Sequence, residues 1–241
     1  MGTILKEYSY TPAKIHRGYS GKSLYINLSD LRIEQKEVTE FMKEKFTGGK
    51  GFDLWYLWHA VTPETRWDSP ENEIVMSVGP LGGITQYSGT GKTLVCSISP
   101  LTDIPIDSNV GGYFGPLLKF SGWDAFELQG KSEKEILIFI DGNNGRIQIE
   151  EAEEYPDDTH LLAEELTKKY AENEDDKVNI SVVCTGSAAK HAYMGMLNFS
   201  FYDPRRKVCR YKQAARGGLG TILQDKKIKA LVVKYRALNL T

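Results

Sequence analysis

Short apolar runs bounded by glycine, proline and turn-forming polar residues recur along this chain, and most suit strands better than helices. Tyr25-Ile26-Asn27-Leu28 alternates with a period of two, Ser29-Asp30 turns the chain, and Arg32-Ile33-Glu34-Gln35 predicts the returning arm of a hairpin. Residues 74–78 and 93–98 read as buried strands. Residues 125–129 and 136–140 follow, the latter leading through Asp141-Gly142-Asn143-Asn144-Gly145 into Arg146-Ile147-Gln148-Ile149-Glu150, a second hairpin pattern. Residues 180–184 and 228–235 add two more strands. Helical spacing is rarer. Thr39 caps a helix to Phe46, stopped by Gly48-Gly49. Asp158 or Thr159 caps another to about Tyr170, with Leu161, Leu162, Leu166 and Tyr170 on one face. Residues 217–223 open a short third helix. Phe52, Leu54, Trp55, Leu57 and Trp58 make residues 51–60 a core-packing segment, and the acidic run from Glu172 to Asp176 reads as a solvated linker. Strands clustered without regular helical crossovers predict an α+β fold rather than a doubly wound sheet.

Composition narrows the function classes. The 241 residues are 41% hydrophobic with 23 glycines, which suits a globular protein. A net charge of -2 gives no electrostatic footprint for nucleic acid. No apolar run approaches the roughly 20 residues that span a bilayer, and the first residues lack a secretory-signal layout. Cys96, Cys184 and Cys209 are too scattered for a disulfide framework or a metal motif, and read as small buried hydrophobes. His16, His59, His160 and His191 show no mutual ligand spacing, and no acid–base or nucleophilic constellation emerges, so no catalytic residue is assigned. These features suggest a cytoplasmic chain.

Two glycine-rich segments carry the candidate chemistry. Asp107-Ser108-Asn109, short polar residues that favour turns, precede Val110-Gly111-Gly112-Tyr113-Phe114-Gly115. Ala214-Ala215-Arg216-Gly217-Gly218-Leu219-Gly220 is the second. Backbone so lightly covered can approach a polar, phosphorylated ligand closely. Gly89-Thr90-Gly91-Lys92-Thr93 imitates a nucleotide-binding P-loop, but Gln86 stands where that motif needs glycine. The following Leu94-Val95-Cys96-Ser97-Ile98 prefers a strand to the helix that a P-loop opens. Lys92 still suits a phosphate as a point charge.

The landmarks together resemble the N-terminal domain of the aldehyde ferredoxin oxidoreductase family of tungsten or molybdenum pterin enzymes. The matching segments are Gly18-Tyr19-Ser20-Gly21-Lys22, Gly48-Gly49-Lys50-Gly51, Ser69-Pro70-Glu71-Asn72, Gly79-Pro80-Leu81-Gly82-Gly83 and Ser99-Pro100-Leu101-Thr102. They continue through Ser108-Asn109-Val110-Gly111-Gly112, Leu118-Lys119-Phe120-Ser121-Gly122-Trp123-Asp124, Arg216-Gly217-Gly218-Leu219-Gly220 and Lys229-Ala230-Leu231. Their order and spacing make the likeness specific.

The resemblance implies two related β-sheets, with a few short helices, forming a cradle for a metal held by two pterins. Residues 18–236 would be that domain, 1–17 an N-terminal extension and 237–241 a tail. It implies a magnesium ion bridging the pterin phosphates, held in part by the backbone carbonyls of Asn109 and Gln213. Lys92 takes the place of a phosphate-binding arginine, Gly111 that of a pterin contact, and Lys212 that of an arginine beside the magnesium; Gly112 and Arg216 belong to the same motifs. Hard oxygen ligands suit magnesium, and amides with cations suit phosphate. The lysines keep the charge of the arginines but lose their two-pronged geometry. The implied reaction interconverts aldehydes and carboxylates, with electrons passing to ferredoxin or a similar carrier. A [4Fe–4S] cluster, the remaining pterin contacts and the substrate pocket are expected on missing domains or on a partner chain, and activity only in their company. A subunit of a low-potential aromatic thioester reductase, or a non-catalytic assembly module, are the alternative readings.

Overall fold

Nearly every apolar run becomes a strand that is covered on both faces. The computed structural model describes residues 2–152 and 154–236, so the expected tail at 237–241 lies outside the described residues. The chain opens with β1 (Ile4–Ser9), β2 (Lys22–Asn27), β3 (Arg32–Glu37), α1 (Glu40–Phe46) and α2 (Lys50–Ala60). It continues through β4 (Ile74–Ser77), β5 (Thr93–Ile98), β6 (Pro105–Val110), α3 (Phe114–Phe120) and β7 (Ala125–Gln129). The second half holds β8 (Ile136–Asp141), β9 (Arg146–Glu151), α4 (Thr159–Tyr170), β10 (Ile180–Cys184), β11 (Leu197–Asp203), β12 (Val208–Ala214), α5 (Leu219–Asp225) and β13 (Ile228–Lys234). Among the described residues no helix is long and apolar enough to cross a membrane.

The strands form a six-stranded sheet, β3-β2-β7-β4-β5-β6, and a seven-stranded sheet, β1-β9-β8-β13-β10-β11-β12. Apart from β1, which pairs with β9 at the edge, these are one pattern built twice. In each, a hairpin (β2/β3, β8/β9) is met in parallel by the last strand of its half (β7, β13). That strand pairs antiparallel with the first member of a three-stranded meander. The registers coincide. Asn27↔Arg32 and Asp141↔Arg146 close the hairpins, Ser77↔Ala125 and Cys184↔Ala230 join the central strands, and Leu94↔Asn109 and Asn198↔Gln213 join the outer ones. The expected two related sheets are therefore present, in an α+β fold with five short helices among the described residues.

Period-two alternation sorts the side chains into layers. Leu24, Ile26, Ile74, Met76, Phe126 and Leu128 from one sheet meet Ile136, Ile138, Ile140, Ile147, Leu231 and Val233 from the other in a shared core, with α3 and α5 packed into it. The alternate positions face outward under helices: Leu137, Phe139, Val182 and Val232 under α4, and Val75 and Ala125 under α2.

The helix starts follow capping chemistry. Thr39 Oγ1 accepts from the Met42 N–H at 3.2 Å, and Asp158 accepts from the His160 and Leu161 N–H groups at 2.8 and 3.0 Å. Three expectations need correction. Leu161 is 62% exposed, because the buried stripe of α4 runs through Leu162, Ala163, Leu166 and Thr167. Residues 50–60 form a helix that buries Phe52, Tyr56 and Leu57 but leaves Leu54 and Trp58 on its outer side, Trp58 79% exposed. The acidic run is not a free linker: Asp176 is buried, 2.8 Å from the Lys234 ammonium, while Glu172 faces Lys234 and Arg236.

Candidate functional site

The two glycine-rich segments occupy equivalent places, each leaving the last strand of a meander and entering a short helix. Asn109 and Gln213 are the penultimate residues of β6 and β12. Asp107-Ser108-Asn109 is strand, not turn, because pairing with β5 overrides the local preference of short polar side chains. Both segments are backed by glycines that let a helix press onto its sheet. A Cβ on Gly115 would stand 2.4 Å from Val78 Cγ1, and one on the equivalent Gly220 would stand 2.3 Å from the Met196 carbonyl oxygen.

The segments converge where β6 and β12 approach each other. The Arg216 N–H donates to Ser108 Oγ at 3.4 Å, and a Cβ on Gly217 would strike the Ile106 side chain at 2.5 Å. The Lys92 turn closes a third side: a Cβ on Gly91 would lie 2.5 Å from the Gly112 carbonyl oxygen, and the Lys92 ammonium donates to Asn109 Oδ1 at 3.0 Å. Lys92, Asn109 and Arg216 are thus brought together through these contacts. Lys212 and Gln213 project from β12 opposite Phe199 and Asn198, with exposed side chains. Gly111 and Gly112 lie on the open side. A Cβ on either would meet nothing within 4 Å, and Gly112 has φ +120°, a conformation suited to glycine.

Lys50, a cation that sequence reasoning placed in a motif but not in the site, stands beside this group. Its ammonium lies 2.6 Å from Asp107 Oδ1, two residues before Asn109, and the Asp107 carboxylate raises its pKa. The Gly48-Gly49 pair before it was the available signal: the Gly49 N–H donates to the Val78 carbonyl at 3.3 Å and a Cβ there would lie 3.4 Å from Leu94, beside the strand that pairs with Asn109. Lys92, Arg216 and the Asp107-paired Lys50 gather cationic side chains around bare backbone, chemistry that suits anionic groups, while among the described residues no contact ties the exposed Lys212 side chain to them.

Other motif residues fasten the fold. Asp124 accepts from the Ser20 and Gly21 N–H groups at 2.9 and 2.8 Å. The buried Lys119 ammonium donates to the Gly79 and Pro80 carbonyls at 2.5 and 3.0 Å, and burial pushes its pKa down to about 8. Cys96, Cys184 and Cys209 are buried and free, burial raising each thiol, Cys184 to about 12 and Cys209 to about 11. Among the described residues no three His, Cys, Asp or Glu side chains converge as a metal site.

Comparison with known proteins identifies relatives of this chain. The chain is 33% identical over 218 residues to the tungsten-containing aldehyde ferredoxin oxidoreductase of Pyrococcus horikoshii, covering 90% of this chain and 33% of the relative. It is 28% identical over 221 residues to an aliphatic sulfonate oxidoreductase, WOR-like subunit, of Pyrococcus furiosus, covering 90% of this chain and 34% of the relative. The chain thus spans about a third of the length of these relatives. Among solved structures, the active-site complex of benzoyl coenzyme A reductase bound to 1,5-dienoyl-CoA matches with a TM-score of 0.76 and 27% identity, over 90% of this chain and 31% of that one. The model of the aldehyde ferredoxin oxidoreductase N-terminal domain matches residues 23–235, and the chain belongs to that family.

Proposed function

We propose that this chain is the cofactor-cradling part of a tungsten or molybdenum bis-pterin oxidoreductase that interconverts aldehydes and carboxylates and passes electrons to ferredoxin or a similar carrier. The observation that carries this reading is the pair of equivalent glycine-rich segments, each led by the penultimate residue of an outer strand and ringed by cations. The residues fit the group: Gly111 and Gly112 offer bare, open backbone, and Lys92 reaches the same place. When bound, the metal and its dithiolenes would supply the two-electron redox chemistry.

This chain's own residues bind and orient. Lys92, Lys50, Lys212 and Arg216 would neutralise phosphate charge, while the Gly111-Gly112 backbone admits the ring system. The backbone carbonyls of Asn109 and Gln213, at equivalent strand positions, would help to hold a magnesium ion that offsets phosphate charge. The domain would span residues 18–236; β1 lies ahead of it in sequence and is paired to β9. The [4Fe–4S] cluster, the substrate pocket and the other pterin contacts would come from the remaining family domains, in a cytoplasmic, oxygen-free setting.

Metal analysis of the native complex, purified anaerobically with its co-purifying chains, tests the proposal. Tungsten or molybdenum near one equivalent is expected, and persistent absence of both overturns it. The likeness to benzoyl coenzyme A reductase favours a second reading, reduction of an aromatic thioester. Assay of the same complex with an aldehyde and with an aromatic coenzyme A thioester separates the two.

A further inference from the structure

At the other end of α2 from the glycine-rich segments, the outer face of the six-stranded sheet holds a cleft of about 310 Å³, near the lower end of the roughly 300–1,000 Å³ range of ligand pockets. Its lining includes Glu73, Glu127, Tyr56, Tyr25 and Lys36. Glu73 and Glu127 are each 1% exposed and Tyr56 is 7% exposed. Most of the polar groups are matched. Lys36 donates to Glu127 Oε2 at 2.5 Å, Ser23 Oγ donates to Glu127 Oε1 at 2.7 Å, and the Tyr25 hydroxyl donates to Gln129 Oε1 at 2.6 Å. Among the described residues Glu73 Oε2 and the Tyr56 hydroxyl have no hydrogen-bond partner. Leaving such groups dry and unpaired is costly, so a partner is implied.

The doubled fold supplies a control. By register, Tyr25, Glu127 and Glu73 correspond to Phe139, Val232 and Ile180 in the other half. There the same place is packed shut: those three side chains are buried, and Phe139 stacks on Tyr170 of α4 with ring centroids 3.8 Å apart. The architecture therefore stands without the polar set, and the first half departs from it with carboxyls and tyrosines.

Glu73 is also held rigidly. Its carbonyl accepts from Ser97 Oγ at 2.6 Å, and the preceding Asn72 side chain accepts from the Ile98 N–H at 3.2 Å while donating to the Trp67 carbonyl at 2.7 Å. The cleft already holds two cations, Lys36 and Arg32, but each has a carboxylate partner, Glu127 for Lys36 and Glu34 at 3.2 Å for Arg32, and the other features favour a positive ligand. Aromatic faces attract cations, and Lys36 already sits 4.0 Å from the Tyr25 ring centre. The C-terminal end of α2, His59 and Ala60, opens on the cleft with the negative end of the helix dipole. With Lys36 paired to Glu127, Glu73 is the buried carboxyl of the cleft that, among the described residues, no ion pair or hydrogen bond holds, although the buried Lys226 ammonium, bonded to the Gly130 carbonyl, acts on it electrostatically.

We propose that this cleft binds a small organic cation bearing N–H donors, a primary alkylammonium or guanidinium group, which donates to Glu73 Oε2 and the Tyr56 hydroxyl. Burial, reinforced by Glu127, raises the Glu73 pKa to about 8, and a bound cation would draw it back down.

Isothermal titration of the full chain with n-propylammonium chloride, against tetramethylammonium chloride at equal ionic strength, tests the proposal. Saturable binding of n-propylammonium, much tighter than that of tetramethylammonium, is expected, since the aromatic faces attract both cations but only n-propylammonium has N–H donors. Glu73→Gln should weaken binding about ten- to hundred-fold, the range for a lost charged hydrogen bond. Tyr56→Phe, which keeps the ring, should weaken it several-fold. Equal binding of the two cations, unchanged affinity in a folded Glu73→Gln chain, or no saturable binding to the wild-type chain would each overturn the proposal.

Discussion

Lys92 and Gly111 test different properties of the glycine-rich end with changes of a few atoms. If the Lys92 ammonium meets a phosphate, Lys92→Ala removes a charge-assisted hydrogen bond worth about 1.5–3 kcal/mol. Metal occupancy under limiting cofactor should then fall by roughly one to two decades in affinity, with circular dichroism unchanged. Wild-type occupancy would remove Lys92 from the site. Gly111 has open space where a Cβ would go, so Gly111→Ala should leave urea stability within about 0.5 kcal/mol of wild type while lowering cofactor occupancy. Gly220→Ala should do the opposite in the metal-free chain. Its Cβ would press on the backbone oxygen of Met196, which has little room to yield, and overpacking of that kind costs about 1–3 kcal/mol. Equal urea midpoints for the two variants would contradict this division between a ligand-facing and a packing glycine.

Which elements were legible in the sequence follows from where their side chains point. The β2/β3 and β8/β9 hairpins, β4, β5, β7, β10 and β13 carry apolar runs or clean alternation between turn residues, and all formed where expected. Strands β1 and β11 were not read from the sequence, nor were β6 and β12, where Asp107, Asn109, Arg210, Lys212 and Gln213 give polar, partly exposed positions resembling loop composition. Strands β6 and β12 present the candidate site, so the chemistry that marks the site also hides its scaffold. The doubling of the fold was equally hidden. Equivalent positions share side-chain identity at places such as Ala125 and Ala230 or Gly115 and Gly220, but differ at others, as where Val232 takes the place of Glu127. The segment from Glu172 to Asp176 misled for another reason: its charge pairs with residues some sixty positions away. Burial pulls the Asp176 pKa upward, but the Lys234 ammonium, the Glu172 N–H and Asn179 more than reverse this and hold it below the ordinary carboxylate value. A lowered carboxyl pKa contributes stability above the unfolded pKa of about 3.9, lost as pH falls through the folded value. Asp176→Asn should therefore cost about 1–3 kcal/mol at pH 7 and progressively less below about pH 4, read from urea midpoints at each pH. A cost that stays constant with pH would show that the carboxylate charge does not fasten β13.

At the scale of the whole molecule, the cationic end is rimmed by apolar side chains that the chain itself leaves uncovered. A Cβ on Gly218 would touch the Tyr193 carbonyl oxygen at 2.2 Å and Pro100 Cγ at 2.6 Å, so the 193–196 loop and the turn at 99–103 flank the second glycine-rich segment. Tyr193, Met194, Met196, Leu101 and Ile104 on these two loops are all exposed. An apolar rim around bare backbone and cations suits burial beneath another protein surface, and a pterin-bound metal needs shielding from water and oxygen. The relatives have about two thirds of their length beyond the part that this chain matches, room for the covering domains. The expected arrangement is an obligate interface well above ~2,000 Å², with the apolar rim at its edge. Native mass spectrometry of the endogenous protein should find the metal only in an assembly that contains those domains. Met194→Glu should release this chain from the assembly without unfolding it, because Met194 lies outside the core. A metal-loaded, catalytically active monomer of this 27.1 kDa chain would defeat the prediction, as would an assembly indifferent to a charge at Met194.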